Sequence, residues 1–142
     1  MIEITGNIWT FHRTGWVAIT TNGAVKRDGS AVMGRGVALQ ARRRFPRLPY
    51  ELGARIRRHG NQVFAFPRYR LYTLPVKHDW RERADLDLIV ASCRQLAALV
   101  PSGRTVYLVR PGCGAGGLAW EDVRPVIADI LDDRFVVVEL PR

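Results

Sequence analysis

The segment Arg110-Pro111-Gly112-Cys113-Gly114-Ala115-Gly116-Gly117-Leu118 constrains this chain more than any other. It places four glycines in six positions, directly after the apolar run Val106-Tyr107-Leu108-Val109 and before the amphipathic stretch Trp120 to Leu131. Strand, glycine-rich turn and helix in that order form a junction suited to gripping phosphate. Glycine reaches φ > 0 and lets the backbone approach a ligand, while freed N–H groups and the helix N-terminus attract anions. Taken alone, the segment is equally compatible with a plain tight turn.

The rest of the chain supplies the frame for that junction. Ile2 to Thr5 reads as a short strand ending at a Gly6-Asn7 turn, and Trp16 to Thr21 as a buried strand ending at Asn22-Gly23. A helix is predicted from Gly36 to Arg44 and another from Tyr50 to His59, with Pro46 and Pro49 between them and Gly60-Asn61 as the stop. Val63 to Phe66 and Leu71 to Val76 read as strands around the turn Arg68-Tyr69-Arg70. A long helix covers Ala84 to Val100, where Leu86, Ile89, Cys93, Leu96 and Val100 recur at 3,4,3,4 spacing with Asp85 and Asp87 in the first turn. Phe135 to Val138 is the final strand. Strands alternating with helices, without repeat or low-complexity linker, predict one three-layer α/β/α domain over residues 1–142 with a mixed central sheet.

Composition narrows the class. At 142 residues the chain is long enough for a real core. No apolar run approaches the ~20 residues of a membrane span, and the start lacks a signal-peptide pattern. Two cysteines far apart, Cys93 on a helical apolar stripe and Cys113 in the glycine segment, make no disulfide scaffold. The expectation is a cytoplasmic protein with reduced thiols, no membrane contact and a monomeric state. The three histidines and two cysteines show no metal-ligand spacing, and no cofactor is expected. The net charge of +9, from 22 Lys and Arg against 13 Asp and Glu, favours polyanionic partners, nucleic acid first. Solvated arginine-rich faces explain the same charge equally well.

A second anion-friendly junction lies at Met33-Gly34-Arg35-Gly36-Val37-Ala38, again with glycines at a helix start. In open α/β sheets ligands bind where loops converge at the carboxyl ends of strands. Two such helix starts can hold both phosphates of a diphosphate, or a phosphate and its ribose. Neither segment fits the dinucleotide-binding or P-loop fingerprints.

With these pieces assembled, the chain resembles a macro domain, the ADP-ribose-binding fold, nearly from end to end. The resemblance rests on Gly6-Asn7-Ile8, Met33 to Ala38, the strand end Leu74-Pro75-Val76-Lys77, and Gly112-Cys113-Gly114 followed by Trp120-Glu121-Asp122-Val123. It points to the branch that holds the terminal ADP-ribose protein glycohydrolase and the DNA ADP-ribosyl glycohydrolase antitoxin (DarG). The ending Gly116-Gly117-Leu118 is more similar to the antitoxin.

That resemblance implies a site. Gly6, Asn7 and Ile8 would sit near adenine, with Asn7 where the family usually has an acid. An Asn carbonyl still accepts from the adenine amine, so weaker binding rather than loss is expected. Thr21 and Asn22 would face the distal ribose. Met33, Gly34, Arg35, Gly36 and Val37 would wrap that ribose and a phosphate. Gly112, Cys113, Gly114, Ala115, Gly116, Gly117 and Leu118 would hold the other side of the pyrophosphate. Lys77 is the implied nucleophile, attacking the anomeric carbon of the distal ribose. A strand-end lysine facing a pocket can be partly desolvated, which exposes a nucleophilic lone pair. In the protein glycohydrolase an aspartate of the second phosphate loop assists the lysine. Gly116 stands there in this chain, so His78 and Asp79 become the nearest acid or base candidates.

Trp16, Phe64, Phe66, Tyr107 and Phe135 read as core, and Trp120 as packing its helix onto the sheet. Trp9, Phe11, His12 and Trp80 fall in loops, where they are candidates to cap the pocket or stack on a base. The last strand offers Glu139-Leu140 in place of the family's adenine-stacking aromatic, so no stacking is expected from it. Arg42, Arg43 and Arg44, then Arg55, Arg57 and Arg58, then Arg68 and Arg70, form clusters that would hold phosphates if the substrate is ADP-ribosylated DNA, and a solvated helix face explains the middle cluster at least as well. The expected activity is an ADP-ribosyl hydrolase acting on ADP-ribosylated DNA, at thymidine, or on acidic protein side chains. An ADP-ribose 1″-phosphate phosphatase and a non-catalytic ADP-ribose-binding module stay open as alternatives.

Overall fold

The computed structural model describes residues 1–141. Six strands form one sheet: β1 (Ile2–Thr5), β2 (Trp16–Asn22), β3 (Phe64–Phe66), β4 (Leu71–Lys77), β5 (Val106–Leu108) and β6 (Phe135–Glu139). The spatial order is β1-β6-β5-β2-β4-β3. Every neighbouring pair is parallel except β3 with β4, which closes one edge as an antiparallel hairpin. The sheet is therefore mixed, as expected.

Five helices cover it: α1 (Ile8–Phe11), α2 (Gly36–Arg44), α3 (Leu48–His59), α4 (Leu86–Leu99) and α5 (Trp120–Ala128). Two buried clusters lie on opposite faces. Val17 and Ile19 of β2 pack with Ile8, Trp9, Val37, Ala41, Leu48 and Leu52. Their neighbour Ala18 points the other way, to Ile89, Cys93, Leu96, Val123 and Ile127. Alternation along β2 thus sends its side chains into two cores, and the three-layer α/β/α arrangement follows. No helix among the described residues is long and apolar enough to cross a membrane.

Several local expectations need correction. The short helix α1 stands where a loop was expected, and the Asn7 side chain caps it by accepting from Trp9 N at 3.0 Å. Helix α3 begins two residues early at Leu48, because Pro49 is tolerated in a first turn. Asp85 is the N-cap of α4 rather than a first-turn residue, accepting from Asp87 N at 2.9 Å. Helix α5 stops at Ala128, short of Leu131. Trp16, Phe64 and Tyr107 are only half-buried.

Pro75 lies in the central strand β4, where a missing N–H would normally break the ladder. The β2–β4 register shifts there: Thr21 is opposite Pro75, and Asn22 is opposite Lys77. The irregularity absorbs the proline and brings Asn22 and Lys77 side by side at the carboxyl end of the sheet.

Candidate active site

The carboxyl ends of the five parallel strands open onto one cleft of about 1380 Å³. Lys77 and all the residues expected to contact ADP-ribose line it except Gly117. Gly6, Asn7 and Ile8 follow β1, Thr21 and Asn22 end β2, and Met33 to Val37 lead into α2. Lys77 ends β4, and Gly112 to Gly116 with Leu118 follow β5. Gly117 turns outward, with its carbonyl held by the Arg83 guanidinium at 2.7 Å.

The loop from 23 to 35 owes its path to Asn22. That side chain donates to the Val32 carbonyl at 3.0 Å and accepts from Ala24 N at 2.9 Å. Behind the loop, Gly53 of α3 is packed so closely that a Cβ would lie 1.9 Å from the Gly29 carbonyl oxygen. Ala31 N donates to the Pro49 carbonyl at 2.8 Å. The loop then enters α2 at Gly36, which has φ +56°, and no side chain caps the helix. Its first residues, Gly36, Val37 and Ala38, line the cleft, and the free N–H groups of a helix start suit an anion. Met33 lines the cleft while its side chain is almost fully buried in the core.

Opposite runs the glycine segment. Ala84 N donates to the Gly116 carbonyl at 3.0 Å and Leu118 N to the Gly112 carbonyl at 2.9 Å. Gly112 takes φ +75°, reachable without strain only by glycine. A Cβ on Gly116 would meet the Gly112 carbonyl oxygen at 2.5 Å. The position therefore has no room for a carboxylate.

Lys77 sits between these walls. Its carbonyl accepts from Asn61 Nδ2 at 2.9 Å, and its Nζ reaches the Trp80 carbonyl at 3.4 Å. The residue is half-buried, and none of the ion pairs among the described residues uses it. His78 and Asp79 do not line the cleft. His78 Nε2 bonds Asp85 Oδ2 at 2.8 Å, and Asp79 holds Arg81 at 2.9 Å. These bonds hold both carboxyls below their ordinary range. The expected acid or base pair is thus committed to shaping the turn after β4.

The charge lining the cleft is lopsided. Lys26, Arg35, Arg43, Arg44, Lys77 and Arg110 face a single carboxylate, Glu139, which is ion-paired with Arg110 at 2.9 Å. Of the arginine clusters, only the one on α2 reaches the cleft, through Arg43 and Arg44. Arg55, Arg57 and Arg70 instead donate to main-chain carbonyls of Ala65, Lys26 and Arg13. Among the loop aromatics, Trp9 and Trp80 line the cleft, whereas Phe11 stacks on Tyr107 at 5.0 Å and His12 bonds the Tyr69 carbonyl at 2.8 Å. Burial pushes the His12 imidazole below its ordinary pKa.

Sequence reasoning missed Lys26, Gln40, Arg110 and Glu139 as lining residues. Gln40, one turn into α2, accepts from the Trp9 indole at 2.8 Å. Helical spacing from Gly36 was the signal that would have found it.

No family model matches the chain. A curated DNA ADP-ribosyl glycohydrolase of Thermus aquaticus is 31% identical over 114 residues, 71% of this chain. The chain spans about a third of that relative's length, 31%. The macrodomain of Mycobacterium tuberculosis DarG superposes with a TM-score of 0.75 and 25% identity, covering 100% of this chain and 99% of its own. Thermosipho africanus DarTG in complex with ADP-ribose gives a TM-score of 0.74 at 19% identity over 96% of this chain and 40% of its own.

Proposed function

The chain belongs to the macrodomain family, among the macrodomains of DarG type, and from that we propose that it removes ADP-ribose from ADP-ribosylated macromolecules with Lys77 as nucleophile. Modified thymidine in DNA is the first substrate, and acidic protein side chains are the second.

One observation carries this reading. A strand-end amine without a carboxylate partner opens between two glycine walls able to hold a diphosphate. The uncapped start of α2 takes one phosphate and the Gly112 to Leu118 segment the other. Gly6 to Ile8 then lie toward the adenosine end, and Asn22 beside Lys77 lies at the distal ribose. Asn7 meets adenine with an oxygen that already accepts from Trp9 N, at 3.0 Å, which weakens its acceptor role. The Thermus relative's name and the ADP-ribose held by the Thermosipho protein support the same ligand and chemistry.

An amine attacks only as the neutral form. The Lys77 Nζ lone pair bonds to C1″ of the ribose as the bond from C1″ to the carrier breaks. That electron pair leaves with the carrier, which takes up a proton. Opening of the sugar ring converts the adduct to a protonated Schiff base. Water then adds at C1″ and expels the amine, releasing ADP-ribose and restoring Lys77. The phosphatase alternative fits less well, because it needs a base beside the distal phosphate. The cleft's carboxylate, Glu139, is tied to Arg110 near the β1–β6 edge.

Lys77→Ala tests the proposal directly. The variant is expected to bind ADP-ribose but to release it from modified DNA more than a hundredfold more slowly. Unimpaired turnover would remove Lys77 from the chemistry. No release by the unaltered chain from either DNA or protein would leave an ADP-ribose-binding module.

A further inference from the structure

Lys77 does not face the cleft mouth alone. The residue whose carbonyl its ammonium contacts, Trp80, is also part of the lining and is 51% exposed. An indole left that open at a site mouth forgoes the burial that holds the other aromatics in place.

Those other rings have partners. Trp9 is 7% exposed, with its indole N–H on Gln40 at 2.8 Å and the Arg44 guanidinium 4.5 Å from its ring centre. Trp120 is half-buried, with the Arg110 guanidinium at 5.0 Å. Trp80 has no aromatic partner among the described residues, and the Arg81 guanidinium lies 5.8 Å from its ring centre. The ring nevertheless stands on a well-tied turn. Asp79 Oδ1 accepts from Arg81 N at 3.0 Å, Glu82 N donates to the Asp79 carbonyl at 3.1 Å, and Gly23 N donates to the His78 carbonyl at 3.2 Å. His78 is locked to Asp85. The turn therefore carries an exposed aromatic ring beside the reacting amine, in a cleft whose charged lining residues are cationic except Glu139.

An open aromatic face combined with positive charge is the pairing by which proteins hold single-stranded nucleic acid. Bases stack on the ring, and the cations hold the backbone. An acidic side chain carrying ADP-ribose has no aromatic ring to stack on such a face. We propose that Trp80 is a stacking platform for a nucleobase of the ADP-ribosylated strand, placed next to the ribose on which Lys77 acts. This rests on the hydrolase reading above, and it assigns the recognition of DNA over protein to one side chain.

The test separates the two ideas by measuring binding as well as turnover. In a Lys77→Ala background, the affinity for a fluorescent single-stranded oligonucleotide carrying ADP-ribose is compared with that for free ADP-ribose. Adding Trp80→Ala is expected to lower the ratio of the two affinities about tenfold, within the range of one base–aromatic stack. Trp80→Phe should restore most of it. Equal affinity ratios with and without the ring would overturn the platform, whether or not the unaltered chain proves to be a hydrolase. An equal loss for a peptide carrying ADP-ribose on glutamate would overturn it too, because the ring would then be a general wall of the cleft. With Lys77 intact, Trp80→Ala should raise KM on the modified oligonucleotide more than it lowers kcat.

Discussion

At Gly34 and Gly36 an added Cβ would meet no atom within 4 Å, whereas at Gly116 it would lie 2.5 Å from the Gly112 carbonyl oxygen and 2.8 Å from the Ala84 Cβ. The two segments look alike in sequence, and both flank the same cleft. Before α2, the glycines keep a surface clear, and their cost is entropic. After β5, Gly112 and Gly116 let the loop fold onto Ala84 and Ile89, so that the wall is built by packing. Gly114 alone in that segment is open. A glycine-rich loop can therefore be empty to admit a ligand or empty to admit the protein itself, and only neighbouring atoms tell which.

The contrast is most strongly tested by Gly116→Asp, which places a carboxylate where a relative carries its assisting acid. Forcing atoms into that contact costs on the order of 1–3 kcal/mol or more. The expected outcome is a lower thermal midpoint and at least a tenfold loss of ADP-ribose affinity by calorimetry. A stable variant that binds normally would break the packing account of this wall.

Gly34→Ala is the mirror experiment. Its backbone is not in the left-handed region and its surroundings are open, so stability should hold or rise by roughly 0.4–1 kcal/mol. ADP-ribose affinity should still fall several-fold, because the methyl group enters the cleft. A destabilised Gly34→Ala would show that the first segment is also a packing device.

Arg83→Ala should act more gently. It frees the Gly117 carbonyl from an exposed bond of 2.7 Å, worth about 1 kcal/mol or less in such a setting. A few-fold higher KM with little change in melting temperature is expected in steady-state assays.

The smallest effect is a readout of the cysteines. Burial pushes the Cys93 thiol up to about 12, and it raises Cys113 too, against the opposing charge of Arg110. A raised pKa means little thiolate at neutral pH, so alkylation of the native protein should be slow and should quicken as pH rises above 9. Cys113, in the cleft wall, should react before Cys93 and be shielded by ADP-ribose. Shielding of Cys93 instead would place the ligand elsewhere.

Much of this was legible along the chain. The 3,4 spacing on α4, the alternation on β2 and the glycine starts depend on near neighbours. These placed most elements correctly and gathered nearly all the named residues at the strand ends. Less legible were side chains whose partner is remote or locally ambiguous. Asn7 also caps α1, a role its position in the chain did not reveal. His78 was read as a candidate acid or base, but Asp85 takes it. The clustered Arg55 and Arg57 suggested a phosphate surface, yet the fold spends them on carbonyls of Ala65 and Lys26.

By itself the sequence determined a mixed α/β sheet with two glycine-rich helix approaches and a lysine at a strand end, because backbone conformation and hydrophobic period are local properties. Tertiary structure alone decided that Asn22 stands opposite Lys77, that Glu139 is neutralised by Arg110, and that Gly116 has no room for an acid. It also decided that, of the tryptophans lining the cleft, Trp80 is the one left open. Each of these depends on which distant atoms come within a few ångströms, and that distance is set by packing rather than by order along the chain.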